Sequence, residues 1–141
     1  MSACRYCGNE VEKKKNCFGF YCSNSCHAQA KSKQVFDTFV ANPSPSTLFS
    51  KDGQIRRGIR KFLIKLAGDK CTQCGWNKKR EGCATSPLEI DHIDGNWENC
   101  TLANLRVLCP NCHSLTAGYK GANRGRGRPH RQLKLSQAES V

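Results

Sequence analysis

A small α+β fold, organised as two lobes that depend on bound metal, is what this sequence predicts. Three observations predict it. The chain has 141 residues of which 38% are hydrophobic, too few to give each of two lobes a sizeable core. Eight of the eleven cysteines fall into two sets of four, at positions 4, 7, 22, 26 and 71, 74, 109, 112. Short segments with strand periodicity and helix periodicity alternate between and around these sets.

The elements follow in order. Residues 1–41 are expected to form the first lobe. Cys4-x2-Cys7 is one knuckle and Cys22-x3-Cys26 a second, with Val11–Tyr21 between them as a hairpin turning near Lys13–Asn16. Ser23 or Asn24 can cap a helix, along which Val35, Phe36, Phe39 and Val40 repeat at helical spacing. Asn42-Pro43-Ser44-Pro45-Ser46 stops it, and residues 42–53 read as a linker. Residues 54–120 form the second lobe. It opens with an amphipathic helix whose apolar stripe is Ile55, Ile59, Phe62, Leu63 and Leu66, with Asp52 as N-cap and Gly68 as stop. Leu88–Ile93 alternates as a strand, and Asp94-Gly95-Asn96 signals a turn. Asn104–Leu108 is a second extended stretch, and a helix starts near Pro110 and runs to about Ala117. Residues 121–141 are polar and basic and are expected to stay unpacked in the free protein.

The cysteine spacing names the metal. A C-x2-C knuckle brings two thiolates to one tetrahedral ion, and a second knuckle closes the shell. Cys4, Cys7, Cys22 and Cys26 are expected to hold one structural Zn²⁺, and Cys71, Cys74, Cys109 and Cys112 another. Closely paired cysteines with no secretory leader at Met1 argue against a disulfide framework and for an intracellular, reducing compartment. Four thiolates leave no open position for water, so both ions should staple rather than catalyse. Cys17, Cys83 and Cys100 stand outside both sets. No apolar run reaches the length of a membrane span.

Charge points to the partner. Lys and Arg number 23 against 11 Asp and Glu, a formal charge of +12, which favours a polyanion. Arg56, Arg57, Arg60 and Lys61 lie on the first helix of the second lobe, either as a solvated face or as phosphate contacts. Arg124, Arg126 and Arg128 interleave with glycines in the tail. They are expected to grip phosphates without sequence preference, although R-G-R-P also resembles the core of an AT-hook.

Inside the second clamp stand Asp91-His92, Asn104 and His113, set in L-E-I-D-H-I-D-G-N, N-L-R-V-L and C-P-N-C-H. In that order and spacing they resemble the HNH endonucleases, the ββα-metal fold, and in particular small zinc-stapled members of phage type. The N-terminal lobe resembles a treble-clef-like zinc finger appended to such enzymes. The resemblance implies a ββα core acting on double-stranded DNA, in the cytoplasm of a bacterial host for a phage-encoded member. It also implies roles. His92 would be the general base, a task suited to an imidazole near neutral pH. Asp91 and His113 would hold one catalytic divalent cation, Mg²⁺ by expectation with Mn²⁺ as a substitute. Asn104 would brace the loop that carries the base. The outcome would be metal-dependent hydrolysis of DNA phosphodiesters, by nicking or double-strand cleavage. The competing expectation is a catalytically dead fold, a zinc-dependent protein that binds DNA and never cuts it.

Overall fold

The computed structural model describes residues 2–11 and 19–119. The expected hairpin turn near Lys13–Asn16, Cys17, and the tail with Arg124, Arg126 and Arg128 lie outside the described residues.

The N-terminal lobe begins with β1 (Ser2–Ala3) paired antiparallel to β2 (Glu10–Val11). The knuckle between them turns at Gly8, whose φ of 77° suits a residue without a Cβ. After Cys22 the chain enters α1 (Asn24–Ala41), capped by Ser23, whose Oγ accepts from the Cys26 N–H. That bond fixes the helix start and with it the position of the fourth cysteine. Asn42 ends the helix.

The stretch expected to be a linker is folded. Pro45–Leu48 forms α2, with Pro at its first position and a reciprocal Ser44–Thr47 box at its start. Leu48 is fully buried and Phe49 nearly so. A two-proline, serine-rich string looks like a spacer by composition, but the Leu-Phe pair behind it supplies apolar area worth about 1.5–3 kcal/mol per buried side chain. A tight turn through Ser50–Gly53 then brings Phe49 and Ile55 together as an isolated bridge. Asp52 sits in that turn, bonded by Ser50 Oγ, and does not cap the next helix.

That helix, α3 (Arg57–Leu66), starts at Arg56 without a side-chain cap. It ends where the glycine predicted, with Gly68 at φ 73° and the crossed bonds Gly68 N–H to Lys65 O and Asp69 N–H to Ile64 O. The buried stripe is Ile59, Leu63 and Ile64, while Leu66 is 69% exposed. The sequence stripe placed Leu66 inside and missed Ile64. The helix is covered on two sides: Ile59 and Leu63 pack with Phe39, Leu48, Phe49 and Cys100, and Ile64 packs with Cys71, Leu88, Val107, Leu108, Cys109 and Cys112. Two neighbours widen the buried face past a single stripe.

Helix α1 crosses α3 at Gly58, where an added Cβ would come within 3.1 Å of the Ser32 Cα and carbonyl oxygen. Backbone atoms cannot swing away, so Gly58→Leu should force the helices apart. The expected loss is about 1–3 kcal/mol, read as a lowered denaturant midpoint at unchanged slope.

The second lobe closes with β3 (Glu89–His92), a 3-10 turn at Leu102–Asn104, β4 (Leu105–Leu108) and α4 (Pro110–Ser114). β3 and β4 pair antiparallel with Glu89 opposite Leu108, Ile90 opposite Val107, Asp91 opposite Arg106 and His92 opposite Leu105. A hairpin followed by a helix packed on it is the ββα arrangement, in a small α+β fold with two two-stranded sheets.

Candidate active site

The cysteines converge as two clusters. In each of the sets Cys4, Cys7, Cys22, Cys26 and Cys71, Cys74, Cys109, Cys112 all four sulfurs lie within 4.8 Å of one another. Measured Sγ–Sγ distances are 3.5 Å for Cys7–Cys22, 3.4 Å for Cys22–Cys26 and 3.7 Å for Cys74–Cys109. Four sulfurs about 2.3 Å from a tetrahedral ion sit about 3.8 Å apart, whereas a disulfide needs about 2.05 Å. The donor set therefore fits zinc and excludes these disulfides. Three backbone amides are aimed at Cys4 in the first set and three at Cys71 in the second. Burial pushes the Cys4 thiol up, but the N–H groups of Cys7, Cys22 and Tyr6 outweigh it and bring it down to about 6. Cys71 is brought to about 6 in the same way, against burial, by the N–H groups of Cys109, Cys74 and Gln73. The neighbouring thiols hold Cys22 and Cys112 up at about 12. Four thiolates repel one another until a dication joins them, and both clusters are arranged for that.

The second cluster ties the start of the lobe to its last helix. Cys109 caps α4, its sulfur 3.4 Å from the Cys112 N–H, and the His113 N–H donates to the Cys109 carbonyl. His113 is thus held one residue beyond a cysteine of the cluster. Its ring lies over the β3 face that carries Glu89 and Asp91, the i and i+2 positions of the strand. His113 Nε2 is 3.8 Å from Asp91 Oδ1, and His113 Nδ1 is 2.5 Å from Glu89 Oε2. Nδ1 is buried, and its approach to Glu89 lacks the geometry of a hydrogen bond. Tyr119 packs edge-on against the same ring at 5.2 Å between centroids.

Two ligand atoms on one hard divalent cation, each about 2.1 Å from it, stand about 3.0–4.2 Å apart depending on the angle between them. At 3.8 Å the Asp91–His113 pair is wider than neighbouring positions on an octahedral ion and narrower than opposite ones, so a bound ion would draw the two groups closer. Glu89 stands at the other nitrogen of the same ring. Asp91's other oxygen, Oδ2, is bound at 2.8 Å by Arg106 Nε from the opposite strand. Sequence reasoning missed Glu89 and Arg106. Strand alternation could have found the first, since E-I-D puts both acids on one face. The second depended on the register of β3 against β4.

His92 lies on the other face of β3, stacked on Phe49 at 6.2 Å, with Nε2 4.0 Å from Cys100 Sγ. Cys100 is buried, and burial pushes its thiol up to about 11, so it packs there as a neutral group. The loop after His92 is braced by Asn104, which is 8% exposed. Its Oδ1 accepts from the Asp94 N–H at 3.1 Å, its Nδ2 donates to Asp94 Oδ1 at 2.9 Å and to the Asn99 carbonyl at 2.8 Å, and its carbonyl accepts from the Ile93 N–H at 2.8 Å. Asp94 also accepts from Asn99 Nδ2 and from the Asn96 N–H. These bonds, Asn99's first, hold its carboxyl below the usual carboxylate range. Both its oxygens are engaged within the loop.

The basic residues of α3 divide. Arg60 is spent inside the lobe, its Nη2 donating to the Ser86 carbonyl at 2.9 Å and the Leu88 carbonyl at 2.6 Å, which positions the entry to β3. Arg56 donates to the Ser46 carbonyl at 3.3 Å. Arg57 and Lys61 point to solvent.

No family profile matches the chain, and no solved structure matches it. Over 64 residues it is 47% identical to the H-N-H endonuclease F-TflIV of Escherichia phage T5, a match covering 43% of this chain and 26% of the phage protein. The chain thus spans about a quarter of that relative's length. Over that segment the chain is similar to an H-N-H endonuclease, and it carries two tetra-cysteine clusters that could each hold a metal ion.

Proposed function

We propose that the protein is a metal-dependent endonuclease that hydrolyses DNA phosphodiester bonds. The observation that carries this reading is the pairing of Asp91 Oδ1 with His113 Nε2 at 3.8 Å, open for one divalent cation, beside the strand end that bears His92. Asp91 and His113 would hold the cation, Glu89 would keep the His113 ring turned toward it, and Zn²⁺ in the two thiolate clusters would fix the frame. When bound, the cation supplies charge to offset the negative charge that builds on the phosphate and on the departing oxygen.

The remaining chemistry falls to side chains. His92 takes a proton from water and later returns it to solvent. The water oxygen bonds to phosphorus as the bond from phosphorus to the 3′ oxygen breaks, and the 3′ oxygen takes a proton from solvent. Phe49 and Cys100 pack against the imidazole, and Asn104 keeps the following loop from drifting. Arg57 and Lys61 offer free charges for the DNA backbone. Arg60 is left out of that role by its two carbonyl bonds, and the tail arginines Arg124, Arg126 and Arg128 would add unspecific affinity.

The test is incubation of supercoiled plasmid with the zinc-loaded protein, with Mg²⁺ or Mn²⁺ and without added metal. Nicked or linear product should form only with added metal and should carry 5′-phosphate ends. Retarded plasmid that stays supercoiled with every metal would establish the binding-only alternative.

A further inference from the structure

We infer that Arg106 is a second catalytic cation of this site, one that contacts the scissile phosphate. This rests on the nuclease reading above. Four observations lead to it. Arg106 is the cross-strand partner of Asp91 in the β3–β4 register, so both side chains leave the sheet on the face that carries His113. The ion pair uses only Nε, at 2.8 Å from Asp91 Oδ2. Among the described residues neither terminal nitrogen of Arg106 has a hydrogen-bond partner. The side chain is 30% exposed, while Asp91 is 16% exposed. The guanidinium is therefore anchored through Nε beside the candidate cation ligand, in a side chain that keeps part of its surface exposed.

That arrangement suits a phosphate oxygen. Guanidinium is a planar fork with donors on two edges, and one edge can hold a carboxylate while the other takes a non-bridging oxygen. Anchoring by Asp91 lowers the conformational cost of using the free edge, because the plane is already set. The comparison with Arg60 sharpens the point. Its Nη2 donates to two backbone carbonyls, as expected of an arginine with a structural task. Arg106 makes no carbonyl bond of that kind among the described residues. An arginine kept only to balance Asp91 would also lose its purpose once a cation binds that carboxylate. A fixed positive charge beside the reacting phosphorus keeps one, since it offsets charge that develops during the displacement.

The experiment uses the full zinc-loaded chain with Mn²⁺ and two substrates: plasmid DNA, and bis(p-nitrophenyl) phosphate, which offers one diester and no bases or flanking phosphates. Arg106→Ala should lower kcat/KM on both by about 10²-fold. Calorimetry of Mn²⁺ alone should show its affinity within about threefold of the parent, short of the 10–100-fold loss typical when a ligand's supporting partner is removed. Arg106→Lys should recover only part of the rate, because an ammonium cannot hold both groups in one plane. If Mn²⁺ affinity falls by the same factor as turnover, Arg106 only aims Asp91 and the inference is overturned. Parental turnover of the small diester by Arg106→Ala overturns it too.

A readout independent of turnover separates this inference from the reading beneath it. Inorganic phosphate titrated onto Mg²⁺-loaded His92→Ala protein should shift the guanidinium nitrogen resonances of Arg106. It should bind about tenfold more weakly once Arg106→Ala is added. No shift overturns the inference whatever the parental activity. A clear shift on a protein whose parent cuts neither substrate supports the phosphate contact and overturns only the nuclease reading.

Discussion

Cys109→Ser should leave the second lobe unable to fold at ordinary temperature. The expected result is a drop from two zinc ions per chain to one, with loss of most of the cooperative thermal transition of residues 54–119. The reason is the share of stability that one ion carries here. The buried set around the clamp is Ile64, Leu88, Val107 and Leu108 with three of the cysteines. Four aliphatic side chains contribute about 1.5–3 kcal/mol each before chain entropy is subtracted. A structural zinc site contributes on the order of 10 kcal/mol. Cys109 is also the α4 cap, a role that serine can keep, so the substitution tests the loss of the ligand alone. Metal content by elemental analysis and a melting curve check this. Cys83→Ser is the control: Cys83 is exposed and outside both clusters, and its replacement should change neither quantity. A Cys109→Ser protein that keeps two zinc ions and the parental melting point would remove the staple from the account.

His92→Ala should abolish cleavage while leaving the fold, the zinc content and DNA affinity near the parental values. A general base contributes about 10²–10⁴-fold, and no described side chain stands ready to replace it: Cys100 is buried with its thiol pushed up to about 11, and Asp94 is engaged by Asn99, Asn104 and the Asn96 N–H. His92 is half-buried against Phe49, so truncation leaves a small gap worth about 1 kcal/mol, less than the frame can absorb. Initial rates on plasmid and a binding titration with Ca²⁺ in place of Mg²⁺ separate the two effects. Parental cleavage by His92→Ala would move the base elsewhere. Cleavage and binding lost together would make His92 a structural residue.

Much of the site could be read from the chain because its signals are local. Knuckle spacing, the Ser23 cap, the Gly68 stop and the alternation through Glu89–His92 each depend on a few consecutive residues and on backbone geometry. The second cysteine cluster then needs only that its two knuckles meet, and His113 follows because it is chained to Cys112. The bracing role of Asn104 came from the resemblance, and the structure supplied its partners Asp94 and Asn99.

By itself, then, the sequence determined the two cysteine quartets, the strand-turn-strand-helix order and the face on which each strand residue sits. Only the tertiary structure decided what covers those faces. It turned the proline-rich segment after α1 into core, drew Ile64 inward and left Leu66 out, consumed Arg60 on two carbonyls, and set Arg106 and Glu89 around Asp91 and His113. A repeat of two or of 3.6 residues fixes direction around an element's own axis. The partner met in that direction comes from elsewhere in the chain, through packing and register that no local pattern encodes.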